Sequence, residues 1–312
     1  MINYLDLEKS KTNPYMRDVC IETIFKYAKR DRNIYFTTPD MGAPALDKFR
    51  KEIPKQFIHS GICEQHMIAM AAGLSLMKKK VFCYAMAPFI TSRCYEQIKC
   101  SLSAMNQHVT LIGIGVGLGY ADAGPTHYTT EDIATMRVFP NLEILTPTDE
   151  YSTKEMIIET IKKPKLRFLR LDREALPKIY SKKNFNLEKG WSELISAGNK
   201  CILTSGYLVH RCLEEIKKQN KKISLIDLFK INNKDNKELI KKLKKFKEII
   251  TIEEQCGQGG FGSYILEIIN ENNLNLKVKK YNLDNRFYFE NGGRKYLHNK
   301  FGLNINSIIK KI

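Results

Sequence analysis

The chain lacks the features that mark a secreted, metal-clustered or membrane-embedded protein. Its eight cysteines, at 20, 63, 83, 94, 100, 201, 212 and 256, include no C-x-x-C pair, so the usual zinc spacing is missing. Several, such as Cys83 and Cys201, lie in apolar runs and read as reduced, buried thiols, which excludes a disulfide framework. No apolar run approaches the roughly eighteen residues that a bilayer-spanning helix requires. The opening Met1-Ile2-Asn3-Tyr4-Leu5-Asp6 has no basic segment followed by an apolar one. No signal peptide is expected, and the expected location is the cytoplasm. No short-period repeat is present.

What the chain has in excess is positive charge, +17 over 312 residues. Such a balance suggests nucleic acid, but its distribution argues otherwise. The lysines concentrate after residue 178. The run Lys241-Lys242-Leu243-Lys244-Lys245 is flanked by Leu239, Ile240 and Phe246 at helical spacing, the pattern of a solvated helix face. No aromatic stripe accompanies it. Neither nucleic acid nor membrane is an expected partner, whereas a positive field suits anionic substrates or an acidic partner.

The length suffices for two domains with cores of their own, and the 43% hydrophobic content fits a globular protein. Residues 34–171 alternate β-rich runs (34–37, 57–59, 81–84, 109–112, 142–145, 167–170) with helix-like stretches (63–77, 92–104, 130–137, 149–162), preceded by a helix over 16–30. Thr148-Asp149-Glu150 caps the 149–162 helix. A polar, lysine-rich stretch follows, and the alternation resumes with strands at 201–204, 223–226 and 249–252 and helices at 208–219, 236–246 and 260–271. This rhythm predicts an α/β protein of two three-layer domains, each a mostly parallel sheet with helices on both faces. The boundaries expected are 1–178 for the first domain, 179–190 for a linker and 191–312 for the second. The turn Gly257-Gln258-Gly259-Gly260 reads as a tight turn or a close approach between chains, with a phosphate cradle as the weaker alternative.

Glu64, in His59-Ser60-Gly61-Ile62-Cys63-Glu64-Gln65-His66-Met67, follows a short strand and a glycine turn and opens an apolar helix. The free N–H groups of that first turn favour a negative charge. A second block, Gly124-Pro125-Thr126-His127, places a histidine just after a turn.

These blocks belong to a longer ordered set. It comprises Met16-Arg17-Asp18, Pro39-Asp40-Met41-Gly42, Ala87-Pro88-Phe89, Tyr95-Glu96-Gln97-Ile98, Glu131-Asp132-Ile133-Ala134, Met136-Arg137, Pro140-Asn141-Leu142, Pro147-Thr148-Asp149 and Leu171-Asp172-Arg173. Together they resemble the C-terminal half of transketolase, encoded as a separate subunit, over nearly the whole chain. The resemblance implies a pyrimidine-binding domain of thiamine enzymes followed by the smaller transketolase C-terminal domain. It also implies transfer of a two-carbon ketol unit from a ketose or ketose phosphate donor to an aldehyde or ketone sugar acceptor. The cofactor it implies is thiamine diphosphate with Mg2+.

The resemblance carries roles to individual residues. Glu64 is the catalytic acid that hydrogen-bonds the aminopyrimidine ring nitrogen, and burial favours the protonated form suited to that task. Phe89, or else Met86 three residues earlier, packs flat on the aminopyrimidine. His127 handles substrate oxygens and assists proton transfer. Arg17 and Arg173 hold a sugar phosphate. Asp40 follows the first strand at the ligand-binding end of the sheet, as a cofactor contact or a turn cap.

The chain departs from the pattern at three places, all on the substrate side. The family's phosphate-gripping histidine is Gly115, the second acid before Gly-Pro-Thr-His is Ala123, and Gly42-Ala43-Pro44 replaces a serine. An altered substrate is expected. No Gly-Asp-Gly motif occurs, so the metal and diphosphate are expected from an N-terminal transketolase subunit in an α2β2 assembly, with this chain active only beside that partner. The alternatives are a deoxyxylulose-phosphate synthase-like or 2-oxo-acid dehydrogenase beta subunit, and, from another class, a non-catalytic regulatory or scaffold subunit.

Overall fold

The computed structural model describes residues 13–39, 42–232 and 236–312. Continuous apolar runs become the central strands of a seven-stranded sheet ordered β10-β5-β6-β4-β3-β1-β2. Its members are β1 (Ile34–Thr38), β2 (Phe57–His59), β3 (Lys80–Met86), β4 (Val109–Ile114), β5 (Glu143–Leu145), β6 (Arg167–Leu171) and β10 (Lys230–Ile231). All pairings are parallel except that of β10 with β5.

The period of two along these strands splits the core into two layers. Val81, Cys83, Ala85, Val109 and Leu111 face one layer, and Phe82, Tyr84, Ile112 and Ile114 face the other. Helix α1 (Met16–Ala28) and helix α3 (Glu150–Lys162) cover the second layer with Met16, Cys20, Ile24, Met156 and Ile157. Helix α2 (Glu64–Leu76) covers the first with Met67, Ile68 and Ala71. Each fully buried Met or Ile among them contributes about 1.5–3 kcal/mol. Asp149 caps α3 as the sequence predicts, accepting from the Ser152 N–H at 2.8 Å within a capping box.

The second sheet has five strands ordered β12-β11-β8-β9-β7. They are β7 (Trp191–Ile195), β8 (Lys200–Thr204), β9 (Ser224–Leu228), β11 (Glu248–Cys256) and β12 (Lys277–Leu283). Its outer face packs on α4 (Tyr207–Lys218) and α7 (Ile305–Lys311). Its inner face, including Cys201, Leu203 and Ile226, shares one continuous core with the first sheet through α5 (Phe261–Glu271) and the short helix Asp132–Met136. Helix α6 (Arg294–Lys300) adds Leu297 to a smaller core with Leu118 and Tyr128 of the first domain.

The structure departs from the sequence reading at identifiable points. The edge strands β7 and β12 were not expected: β12 reads Lys-Val-Lys-Lys-Tyr-Asn-Leu, and an edge strand tolerates charge because one side faces solvent. The 92–104 helix is broken into a 3-10 turn (Ser92–Cys94), one α turn (Tyr95–Gln97) and a π turn (Ile98–Ser103). The 179–190 stretch, read as a linker, is packed. Tyr180 is fully buried, and Phe185 lies 4.9 Å from the Phe229 ring. Strand β10, from the second half of the chain, completes the first sheet.

The Gly257–Gly260 turn is no phosphate cradle. The N–H groups of Phe261 and Gly262 at the start of α5 already donate to Glu253 at 2.7 and 2.8 Å.

The buried Asp227 accepts hydrogen bonds from Thr148 and, at 2.7 Å, from Tyr180, so one carboxyl ties both domains to the connecting segment. Burial pushes Asp227 up to about 7, and likewise Glu253. A carboxyl raised in the fold stabilises below its unfolded value near 4 and loses that contribution as pH rises through 7. Stability is therefore expected to fall between about pH 4 and pH 7 by up to about 1.4 kcal/mol per pH unit for each group. Denaturant midpoints across that range should slope less for Asp227→Asn. An identical slope would refute the role given to this carboxyl.

Candidate active site

Parallel strands deliver their following loops to one edge, the carboxyl end of the sheet, where such folds bind ligands. The described residues singled out in the sequence follow β2, β3, β4 and β6, or open α1, and converge there. Asp40 lies outside the described residues.

Glu64 opens α2 after the Gly61 turn and is only 3% exposed. Its Oε2 accepts from Arg93 Nη1 at 2.8 Å. Gln65 Nε2 donates back to the Arg93 carbonyl at 3.0 Å, holding the two segments together. The Arg93 guanidinium also lies over the Phe89 ring, 4.0 Å from its centre. In the chain by itself the Glu64 carboxylate therefore has an ionic partner, which the sequence reading did not include.

From Phe89 the contacts continue in one line. The His127 ring meets Phe89 edge to face at 5.3 Å and Tyr120 at 5.8 Å. His127 Nδ1 is 2.9 Å from Thr126 Oγ1, and its N–H donates to the Gly124 carbonyl at 3.0 Å, closing the turn at a φ of +77°. Arg173 lies over the Tyr120 ring at 4.7 Å and donates to Asp122 at 2.9 Å. Arg17 is paired with Asp18 at 2.7 Å and acts electrostatically on Tyr120. The structure thus brings Glu64, Phe89, His127, Arg173 and Arg17 to one region. Met86 packs against the core that contains Phe36, Phe82 and Tyr84.

Sequence reasoning missed Arg93, Tyr120 and Glu131. Glu131 accepts from Ser92 Oγ at 3.1 Å and from Thr130 Oγ1 at 3.2 Å, and burial pushes its carboxyl up. None has a periodic or compositional signal; Arg93 and Tyr120 meet the site residues only because loops after different strands come together. The neighbouring Asp132 is structural, held in a buried fork by Arg170 at 2.7 and 3.1 Å.

The residues present fit an aminopyrimidine. A buried carboxylate and an aromatic face already hold one planar nitrogen-rich group, the Arg93 guanidinium, by a hydrogen bond and a stack. An aminopyrimidine calls for the same two contacts. Among the described residues, no group of His, Cys, Asp and Glu side chains has the arrangement of a metal site. No described helix is long and apolar enough to cross a membrane.

Residues 13–178 match the family model of the transketolase pyrimidine binding domain, and residues 193–308 match that of the transketolase C-terminal domain. The chain is 29% identical over 262 residues to one of the subunits of apulose-4-phosphate transketolase from Phocaeicola vulgatus, spanning 82% of this chain and 84% of that one. It is 31% identical over 299 residues to a putative transketolase C-terminal section of Methanocaldococcus jannaschii, spanning 93% of each. A solved split-gene transketolase, described as an inactive beta4 tetramer, superposes with a TM-score of 0.83 at 23% identity, over 95% of this chain and 97% of that one. At that identity the likeness concerns the fold.

Proposed function

This chain belongs to the transketolase family, and we propose from that premise that it is the C-terminal, beta-type subunit of a split transketolase. Enzymes of the family depend on thiamine diphosphate. The reaction proposed moves a two-carbon ketol unit from a ketose or ketose phosphate to an aldehyde or ketone sugar acceptor. The observation that carries this reading is the grouping of buried Glu64 with the Phe89 face beside His127.

When bound, thiamine diphosphate supplies the nucleophilic carbon that cleaves the ketose carbon–carbon bond. The rest falls to side chains of this chain. Glu64, itself buried, holds the proton shared with the aminopyrimidine ring nitrogen. Phe89 supports the flat face of that ring. His127, turned inward by the Gly124 bend, donates to and accepts from substrate oxygens. Arg17 and Arg173 face the anionic end of the sugar; their present carboxylate partners, Asp18 and Asp122, are partly exposed and exchangeable.

The diphosphate and Mg2+ are assigned to an N-terminal partner subunit in an α2β2 complex. The chain alone, supplied with both, is expected to be inactive, and adding the partner should restore donor cleavage. Full activity of the isolated chain would overturn the two-subunit reading. An altered substrate is favoured by Gly115 and Ala123, and by a relative whose name specifies apulose 4-phosphate.

Removing the aromatic support separates the two stacking candidates. Phe89→Ala should weaken thiamine diphosphate binding by the assembled complex about tenfold, as expected for a lost stack and its buried area. Met86→Ala should change it less than about threefold. Isothermal titration checks both, and the reverse order would reassign the stack.

A further inference from the structure

We propose that Tyr120 is a specificity-determining residue of this site. Its ring fills the space into which a side chain at position 115 would project, and its hydroxyl meets the anionic end of a sugar phosphate between Arg173 and Arg17. The inference rests on the transferase reading above and names one of the groups that selects the substrate.

The packing is explicit. A Cβ at Gly115 would lie 2.0 and 2.2 Å from two carbons of the Tyr120 ring. The backbone there cannot retreat easily, because the Gly115 N–H donates to the Leu171 carbonyl at 2.9 Å and the residue sits at a φ of +79°. Gly119 completes the fold-back: its N–H donates to the Val116 carbonyl at 3.1 Å, and a Cβ on it would meet the Gly115 backbone at 3.0 Å. Tyr120 therefore returns over Gly115 only because both positions lack side chains. The place that a residue at 115 would occupy is taken by a ring supplied from position 120.

The ring's surroundings explain its use. Its edge faces His127 and its flat side carries the Arg173 guanidinium. Its hydroxyl makes no hydrogen bond among the described residues. Burial pushes the phenol up, against the pull of Arg173 and Arg17, so it remains an O–H donor at neutral pH. One hydroxyl donor and two guanidinium groups suit the oxygens of a phosphate. The ring wall beside His127 limits the shape of the sugar next to the reacting atoms.

The test uses the complex reconstituted with its partner subunit and a panel of ketoses, each with and without phosphate. Tyr120→Phe should raise KM for phosphorylated donors about tenfold with kcat nearly unchanged, the effect of one hydrogen bond to a charged group. Tyr120→Ala should in addition change the ranking among sugars, because the wall is gone. Wild-type turnover with the same KM values and ranking in both variants would overturn the role of Tyr120 alone. A wild-type complex that cleaves no ketose would overturn the transferase reading and the specificity role with it. A second arm needs no activity. Gly115→Ala should lower Tm more in the wild-type background than in Tyr120→Ala, where only the positive-φ penalty remains, roughly 2–4 °C. Equal losses in the two backgrounds would show that Tyr120 does not occupy the place of residue 115.

Discussion

Glu64→Gln in the assembled complex is expected to lower kcat by about 10²–10⁴-fold, the usual span for a positioned acid–base group. Glutamine keeps the shape of the side chain and an oxygen that accepts from Arg93. It removes the carboxyl that exchanges a proton with the aminopyrimidine nitrogen. The fold should survive: Glu64 sits at a helix start and its ionic partner Arg93 is 40% exposed, so the guanidinium turns to water when the charge is lost. Thermal unfolding close to wild type together with collapsed turnover supports the assignment. Unchanged turnover would sink the catalytic reading and leave the scaffold alternative. Glu64→Ala should be as inactive, since it also removes the oxygen that Arg93 contacts.

The largest effect on stability is expected at Arg294, far from that chemistry in sequence. It opens α6 and is 7% exposed. Its guanidinium donates to Glu254 at 2.7 and 2.6 Å and to Asp172 at 3.0 Å, and Cζ lies 3.6 Å over the Tyr207 ring. Glu254 also accepts from His298 and from the Leu118 N–H. Gly117 permits this approach, since a Cβ there would meet the Glu254 carboxylate. Asp172 and Leu118 belong to the first domain, and Glu254, His298 and Arg294 to the second, so the network clamps one onto the other. Arg294→Leu leaves Glu254 and Asp172 buried without their cation. Breaking a buried pair on one side destabilises by about 3–5 kcal/mol. At roughly 2–4 °C per kcal/mol, the unfolding midpoint should drop by about 10 °C. Adding Glu254→Gln should recover part of the loss. A midpoint within roughly 1–2 °C of wild type, about half a kcal/mol, would refute the clamp.

Arg294 illustrates why part of the molecule was illegible. A lone arginine in a polar stretch has no periodicity, and nothing in its neighbours announces burial. The same holds for Arg93 and Tyr120. The central strands were legible because a parallel strand covered on both faces must be largely apolar, as Val81–Ala85 is and as Val109–Ile112 is apart from the buried Thr110. Strand β12, solvated along one edge, carries lysines and an asparagine that interrupt the apolar pattern of a strand. The packed course of residues 179–190 was hidden for a related reason. Lys182 and Lys183 stay in water while Tyr180 and Phe185 turn inward.

The order of short blocks from Arg17 to Arg173 was enough to assign the family and the α/β class and to single out Glu64, Phe89 and His127 as candidates. Local chemistry at each block survives in linear text, because a glycine turn before an acid or a histidine needs only its neighbours. The tertiary structure alone decided that the Phe89 ring meets His127, that Arg93 pairs with Glu64, and that Tyr120 fills the space over Gly115. Those facts depend on which loops a parallel sheet carries to the same edge, and contacts between residues 29 or 122 positions apart have no signature along the chain.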